Sequence, residues 1–390
     1  MKIANLKVTG FRSLKSVDWR PGDLNIVIGP NASGKSNLLD LFEMLSHLPK
    51  GKLGDCVQSR GGIGSLLWDG QADGVGIVLD VSPSSEMAAN EGGPLHYSLD
   101  LTPSGALGLY EVARESLIRQ DTGRECITPP TGTEAPSLVE MVRKYGRDHG
   151  LVRDESYLAR SGASSDDTDR VHFAGEISTW CVHQIIDTSP ESEVRRAPIA
   201  RYETQLENNG SNLISVLHTL YTENRAFAER IDAAMRAAFN HFVSLVFPPS
   251  PAADQRVQMK VRWKSLKRDC PLSDLSDGTL RFLYLISILA NPHLPSLVAI
   301  DEPETGLHPR MMSIVAELAM DAATRTQLIL TTHSPEFLDA FRDTQPTVTV
   351  ADLVDGATQL RTVSQEDLDY WLKEYTLGYI YRTGQLESME

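Results

Sequence analysis

Apolar residues recur along this chain in two rhythms, one alternating and one helical, and together they predict an α/β protein. Met1 to Val8 alternates, with Ala4, Leu6 and Val8 on one face, which reads as a strand ending in Gly10-Phe11-Arg12-Ser13. Leu24-Asn25-Ile26-Val27-Ile28 is a short apolar strand, and Ser36 to Leu48 carries Leu38, Leu41, Phe42, Leu45 and Leu48 on one helical face. Val75–Val81 is a strand; His96–Leu101 and Leu107–Ala113 form a hairpin around Pro103-Ser104-Gly105. Arg60 to Gly64 is a flexible segment, Ser82 to Pro94 a polar, turn-rich loop, and 120–136 and 161–170 are similarly rich in turn residues. From Asn212 to Phe247 the spacing becomes helical, through Leu213, Val216, Leu217 and Leu220, then Phe227, Ile231, Met235, Ala238 and Phe242. Two helices closed by Pro248-Pro249 are predicted there. After a strand near Val257, an apolar helix runs from Leu275-Ser276-Asp277-Gly278-Thr279 to Ala290. The strand Leu297–Ile300 ends in Asp301-Glu302, a helix follows through Met311, Ile314, Val315 and Leu318, and the strand Leu328–Thr332 ends in His333-Ser334-Pro335. The tail reads as a strand (Thr347–Ala351), a hairpin at Asp355-Gly356 and a helix from Ser364. Strands alternating with helices, each strand ending in polar residues, indicate a mostly parallel sheet with its site at the carboxyl edge. No internal repeat is present.

The chemistry concentrates at three strand ends. Gly29-Pro30-Asn31-Ala32-Ser33-Gly34-Lys35-Ser36 matches G-x-x-x-x-G-K-[ST] and sits between an apolar strand and an amphipathic helix. In that setting backbone N–H groups and the helix N-terminus cradle phosphates; Lys35 reaches the β- and γ-phosphates, and the Ser36 hydroxyl meets Mg²⁺. The loop residues Asn31, Ala32, Ser33, Gly34, Lys35, Ser36 and Asn37 are therefore the expected nucleotide contacts, with ATP and Mg²⁺ as ligands. Phosphoryl transfer needs charge neutralisation and a positioned water. Asp301 suits a carboxylate that holds Mg²⁺, and Glu302 one that orients the attacking water. Taken alone, the two carboxylates read equally well as an exposed strand end, and a His before Ser-Pro as a helix cap.

Charge and cysteine usage narrow the setting. The net charge of −15 opposes a non-specific polyanion binder, though not a local basic patch. Cys56, Cys126, Cys181 and Cys270 are far apart and form no C-x-x-C, so no zinc site or disulfide framework is expected and a reducing cytoplasm fits. The N-terminus lacks a signal-peptide core, and the apolar run Leu283–Ala290 is too short to span a bilayer. The expectation is a soluble, cytoplasmic protein without a membrane partner.

With GFRSL, GPNASGKSN, LSDGT, LVAIDEPETGLHP and ILTTHSPEF, the chain resembles the ABC-type ATPase heads of RecF, SMC and overcoming-lysogenization-defect (OLD) proteins, most closely in pattern the compact bacterial AAA-domain ATPases of that superfamily. The motifs lie densely in residues 1–48 and 270–340; the middle matches in layout only. The resemblance implies a P-loop NTPase of ABC-type head architecture, with a mixed β-sheet and an inserted helical subdomain. It further implies that Ser276 and Gly278 form a signature contacting the γ-phosphate of ATP held by a second protomer. Glu302 would be the catalytic glutamate, His333 the switch histidine, and Pro303 to Pro309 the loop linking the two sites. Arg12 and Ser13 sit where relatives place a residue near the phosphates. Gln205 is the best match to the family's conserved glutamine loop, against the alternative of a solvated turn.

More than half of the chain separates Lys35 from Ser276, far more than in transporter ATPases. No heptads or C-x-x-C hook fill the gap, as they would in a long-armed SMC protein. The stretch after His333 is too short for the nuclease of OLD proteins, so a nuclease or other effector is expected on a separate polypeptide. The expected organisation is an N-terminal ATPase lobe (1–204), a helical subdomain (205–256) and a C-terminal lobe (257–390). Lys260, Arg262 and Lys264 share one face of a strand; they fit DNA phosphates, or equally the solvated face of an edge strand. The expected function is an ATP-driven switch that forms a homodimer around ATP in DNA maintenance or anti-phage defence. The rivals are a non-catalytic ATP-dependent scaffold or regulatory subunit of a defence complex and a small-molecule kinase, which would have no use for a trans signature.

Overall fold

A computed structural model describes residues 1–83, 93–105, 108–127, 155–160, 167–249, 255–341, 345–364, 366–368, 372 and 375–388. The chain opens with β1 (Lys2–Phe11), β2 (Leu14–Trp19) and β3 (Leu24–Ile28), then α1 (Lys35–His47) and α2 (Leu53–Ser59). Next come β4 (Val75–Ser82), β5 (Leu95–Pro103), β6 (Tyr110–Arg119), β7 (Arg124–Ile127), α3 (Thr168–Ser178) and β8 (Cys181–His183). Then follow α4 (Leu213–Glu223), α5 (Arg225–Ala238), β9 (Phe242–Val246), β10 (Lys260–Trp263), β11 (Cys270–Pro271) and α6 (Asp277–Leu289). The chain continues through β12 (Leu297–Ile300), α7 (Pro309–Ala323), β13 (Gln327–Thr332), β14 (Thr347–Val354), β15 (Ala357–Thr362) and α8 (Leu377–Arg382). These elements fall into two units. The first comprises Met1–Gly22, Gly29–Trp180 and Val350–Thr362; the second comprises Asp23–Ile28, Cys181–Thr349 and Val363–Glu390.

The first unit contains an antiparallel sheet in the order β2-β1-β4-β5-β6-β7. The strand β2 was not anticipated; it returns from the Arg12–Ser13 turn and pairs Val17 with Val8 and Trp19 with Leu6. A β-bulge between Ile3 and Asn5 breaks the predicted alternation, so Ile3, Leu6 and Val8 are buried while Ala4 faces out. The predicted hairpin is present but longer, with β5 and β6 pairing from Leu95–Arg119 to Pro103–Tyr110. The segment after Arg60, expected to be flexible, includes a 3₁₀ turn at Ile63–Ser65. Most of the predicted loop Ser82–Pro94, residues 128–136 and residues 161–166 lie outside the described residues. Phe42 on α1 packs against Trp19 and Trp180 at ring distances of 6.4 and 6.0 Å, and Phe173 on α3 lies 5.0 Å from Tyr97. Aromatic burial of this kind anchors α1, and with it the loop that precedes it, to the sheet.

One carboxylate is sealed in that core. Glu115 is fully buried and accepts hydrogen bonds from the Tyr97 hydroxyl (2.9 Å), the Ser156 hydroxyl (2.7 Å) and the Tyr157 amide (2.6 Å). Burial nonetheless pushes its pKa up, because desolvation outweighs these donors. A carboxyl with a raised native pKa holds its proton where the unfolded chain has released it, so its contribution to stability falls as pH rises through that window. Relative to Glu115→Gln, the wild type is expected to lose stability as pH rises from the unfolded glutamate range towards neutrality. Urea midpoints of the two proteins across pH 4–8 measure the difference, and parallel curves would contradict it.

The second unit contains four parallel strands in the order β3-β13-β12-β8. Their registers align Ile26 with Leu330, Leu330 with Ile300, and Ile300 with His183. Every residue of β3, β12 and β13 is buried, as expected for parallel strands covered on both faces. The helices α4 and α5 lie where predicted, but Phe242 belongs to β9 and not to a helix. α5 stops at Ala238 because Phe239 is extended (φ −132°), after which the chain pairs with β10. β10 is the middle strand of the antiparallel order β11-β10-β9, but the two-residue β11 covers only Lys260 and Val261, so Lys260 does not guard a sheet edge while Arg262 is paired on the β9 side. Arg262 is paired through two nitrogens with Asp269 at 2.8 and 3.0 Å, which absorbs part of the expected basic face.

Candidate functional site

The phosphate-binding loop follows β3 directly and ends in α1. Gly34 is the N-cap of α1 in the left-handed region (φ 97°), without a side-chain cap, and Ala32 is also left-handed (φ 66°). Such a turn leaves the first amides of a helix pointing outward, the geometry that binds anions. Lys35 is buried, and its ammonium donates to the carbonyls of Gly29 (2.7 Å) and Pro30 (2.9 Å), so a positive charge sits inside the loop. Ser36 is exposed at the first turn, and the buried Ser33 hydroxyl has no hydrogen-bond partner. An orphaned buried hydroxyl, a helix N-terminus without a side-chain cap and an enclosed ammonium together fit a phosphate group.

What shapes this loop comes from far away in sequence. Thr358 on β15 donates its hydroxyl to the Ser33 carbonyl (2.8 Å) and lies 2.6 Å from the Ser13 hydroxyl. Asn37 in turn donates to the Ser13 hydroxyl (2.6 Å). A Cβ on Gly34 would stand 1.9 Å from the Thr358 hydroxyl, and one on Gly29 would stand 2.2 Å from the Ala351 carbonyl. The two motif glycines are thus required by close packing as well as by backbone angle. Arg12, itself left-handed (φ 47°), bonds the Asn37 side chain at 3.3 Å and forms an ion pair with Asp40. Arg12 and Ser13 therefore do meet the start of α1, on the side of Asn37. Thr358 carries no motif signal and was invisible to sequence reasoning.

The carboxylate edge belongs to the second unit. The Asp301 amide donates to the His183 carbonyl (2.9 Å), extending the β12–β8 pairing, and Asp301 Oδ1 accepts from the Thr331 hydroxyl (2.5 Å). His183 is buried beside Tyr284, whose hydroxyl lies 2.8 Å from its Nδ1, and burial pushes the imidazole down to about 3. Glu302 follows in the left-handed region (φ 43°), its amide donating to Thr331 Oγ1 (3.0 Å). A non-glycine residue there carries strain that the surrounding bonds must offset. Glu302 Oε1 lies 3.1 Å from His333 Nδ1, and both side chains keep solvent access. Glu304, by contrast, is buried: one oxygen accepts from the Thr332 hydroxyl (2.5 Å) and the His333 amide (3.4 Å), while the other has no partner. Burial pushes its carboxyl pKa up.

The LSDGT segment lies in the same unit. Ser276 caps α6 by accepting the Thr279 amide (3.3 Å) and is exposed. A Cβ on Gly278 would stand 2.9 Å from the carbonyl of Gly306, so the start of α6 packs on the loop that begins at Glu302. The structure therefore brings Asp301, Glu302 and His333 to one strand-end cluster and Gly278 against the loop that follows it. Gln205 is exposed, and its carbonyl accepts from the Asn212 side chain (3.0 Å). Gln184, one residue past β8, instead lines a small cavity with Asp301, Glu302, Arg281 and Thr305. The three-residue strand before it is too short to carry a periodic signal in the sequence.

The family model described as "AAA domain, putative AbiEii toxin, Type IV TA system" matches residues 24–339. An ATP/GTP phosphatase of Helicobacter pylori is 31% identical over 87 residues, covering 21% of this chain and 23% of that protein's length. Among solved structures, the Smc head bound to the C-winged helix domain of ScpA is similar over 95% of this chain and 100% of that one, with a TM-score of 0.57 at 14% identity. The Smc head with an extended coiled coil bound to the C-terminal domain of ScpA, derived from Pyrococcus furiosus, gives 0.54 at 13% identity, covering 95% and 98%. At these identities the likeness concerns the fold, which is that of an ABC-type ATPase head.

Proposed function

The chain belongs to the AAA-domain family whose model spans residues 24–339, and from that premise we propose that it binds and hydrolyses ATP as a switch whose two copies close head to head. The loop 29–36 holds the triphosphate, with Lys35 on the β- and γ-phosphates and Arg12 and Asn37 beside it. Ser36 and Asp301 are the residues that would hold Mg²⁺, which when bound neutralises phosphate charge. Glu302 orients the attacking water, His333 positions Glu302 and senses the γ-phosphate, and Gln184 rather than Gln205 is the glutamine of the site. Ser276 and Gly278 present the N-terminus of α6 to the nucleotide of the other copy.

The observation that carries this reading is the Glu302–His333 pair at 3.1 Å, held at the carboxyl edge of parallel strands by a strained Glu302 backbone. A scaffold that only binds ATP has no need of that pair, and a kinase has no need of an exposed capped helix at Ser276. The setting we propose is DNA maintenance or anti-phage defence in the cytoplasm, acting with a separate nuclease or effector. The toxin–antitoxin wording of the family description supports the defence side.

Shared sites give a direct test. Lys35→Ala and Ser276→Arg are each expected to be inactive alone. In a heterodimer one site combines both defects, while the other pairs an intact loop with an intact signature. Mixing at equal amounts makes about half of the dimers hetero, so roughly a quarter of wild-type ATPase activity should return if sites act independently. No rescue, together with a Glu302→Gln variant that stays monomeric under ATP at every concentration by crosslinking, would rule out a shared site.

A further inference from the structure

Arg195 lies outside every recognised motif, yet its side chain is only 8% exposed. Its Nε donates to the Thr188 carbonyl at 2.8 Å. Its Nη1 meets the carbonyls of Leu272 (3.0 Å), Ser273 (3.2 Å) and Leu275 (2.9 Å). Its Nη2 meets Asp277 Oδ1 at 2.8 Å. Four of these five partners lie between Leu272 and Asp277, the turn that delivers the chain to Ser276 and Gly278. From this geometry we infer that Arg195 is a positioning residue that clamps the turn into α6 and so presents the Ser276–Gly278 helix start for its ligand.

The physical case rests on what the turn would do without it. Leu272, Ser273 and Leu275 precede the helix, and their carbonyls point at the guanidinium. Without it the Leu272 carbonyl keeps only the Leu275 amide (3.1 Å), and those of Ser273 and Leu275 are left to water and to exchange among conformers. A guanidinium satisfies several carbonyls at once with a rigid planar fork, which a lysine point charge does not reproduce. The location also has an electrostatic consequence. A buried cation beside a helix N-terminus opposes the helix dipole, and Asp277 in the first turn compensates it. The net effect is a helix start that stays ordered while Ser276 remains exposed. Arg195 does not need to touch a phosphate to do this, because its donors are directed into the turn.

The inference rests on the shared-site reading for its catalytic consequence, but the clamp itself is testable without it. In Arg195→Ala the amides of residues 272–279 are expected to exchange hydrogen roughly tenfold faster or more, with the phosphate loop unaffected. ATP affinity is expected to stay within about twofold and turnover to fall by about tenfold or more, as for loss of charge-assisted hydrogen bonds. Mixing then separates a signature-side defect from general damage. Arg195→Ala with Lys35→Ala should regain activity, whereas Arg195→Ala with Ser276→Arg should not, since both lack a working signature. Asp277→Asn, on an exposed side chain that leaves Arg195 in place, provides a variant that folds, with a smaller change in the same direction. Unchanged exchange in both variants would overturn the clamp. Rescue of Arg195→Ala by Ser276→Arg, or loss of its ATP affinity, would overturn its assignment to the signature. If Lys35→Ala and Ser276→Arg fail to rescue each other, the shared site itself has failed, and the exchange result still decides the clamp.

Discussion

Lys35→Ala is expected to abolish ATP binding measurable by calorimetry. The Lys35 ammonium is buried and already surrounded by loop carbonyls, so its charge acts in a poorly solvated ring where Coulombic attraction is strong. Removing one partner of a buried, hydrogen-bonded charge pair costs roughly 2–5 kcal/mol, or about thirty- to several-thousand-fold in Kd. The truncation also deprives the Gly29 and Pro30 carbonyls of their donor. The fold should survive, because α1 is anchored by Phe42 between Trp19 and Trp180 and not by Lys35. Near-normal affinity in a variant with an unchanged circular dichroism spectrum would show that the loop is not the nucleotide site.

Glu302→Gln is expected to separate binding from turnover. The amide keeps the size of the side chain, can still bond both Thr305 and His333 by accepting through its oxygen on one side and donating through its NH2 on the other, and leaves the left-handed backbone as it is. What it loses is the negative charge that attracts and orients a proton-donating water. By analogy with the removal of one preorganised catalytic group, turnover should fall by ~10²–10³ while ATP affinity is retained. Wild-type turnover in this variant would remove Glu302 from the water-positioning role and leave the scaffold reading in possession. Loss of ATP affinity along with turnover would instead mean that the substitution had disturbed the strand ends around Thr331.

Much of this protein was determined by local sequence. The loop from Gly29 to Ser36, the mostly apolar strands ending at Ile28, Ile300 and Thr332, and the polar residues just beyond them are short-range patterns whose meaning depends on neighbours a few residues away. The parallel core could therefore be read from the chain alone, and the ABC-type head fold from the resemblance that these motifs carry. So could the apolar helix that opens at Leu275–Thr279, since its periodicity is a short-range pattern. What the tertiary structure decided was long-range pairing. Thr358 holds the Ser33 carbonyl across 325 residues, which makes Gly34 obligatory for a reason that the loop itself does not contain. A bulge turns Ala4 outward, β9 claims Phe242 from a helical pattern, and β10 acquires a neighbour on each side, none of which period or composition specifies. Gln184 and Arg195 belong to the same class. A three-residue strand and a lone arginine have no local signature, and their surroundings exist only once β8 has docked on β12 and the turn before α6 has folded over the guanidinium. Such pairings are chosen by side-chain packing and by the need to satisfy buried polar groups, and both are properties of the assembled core.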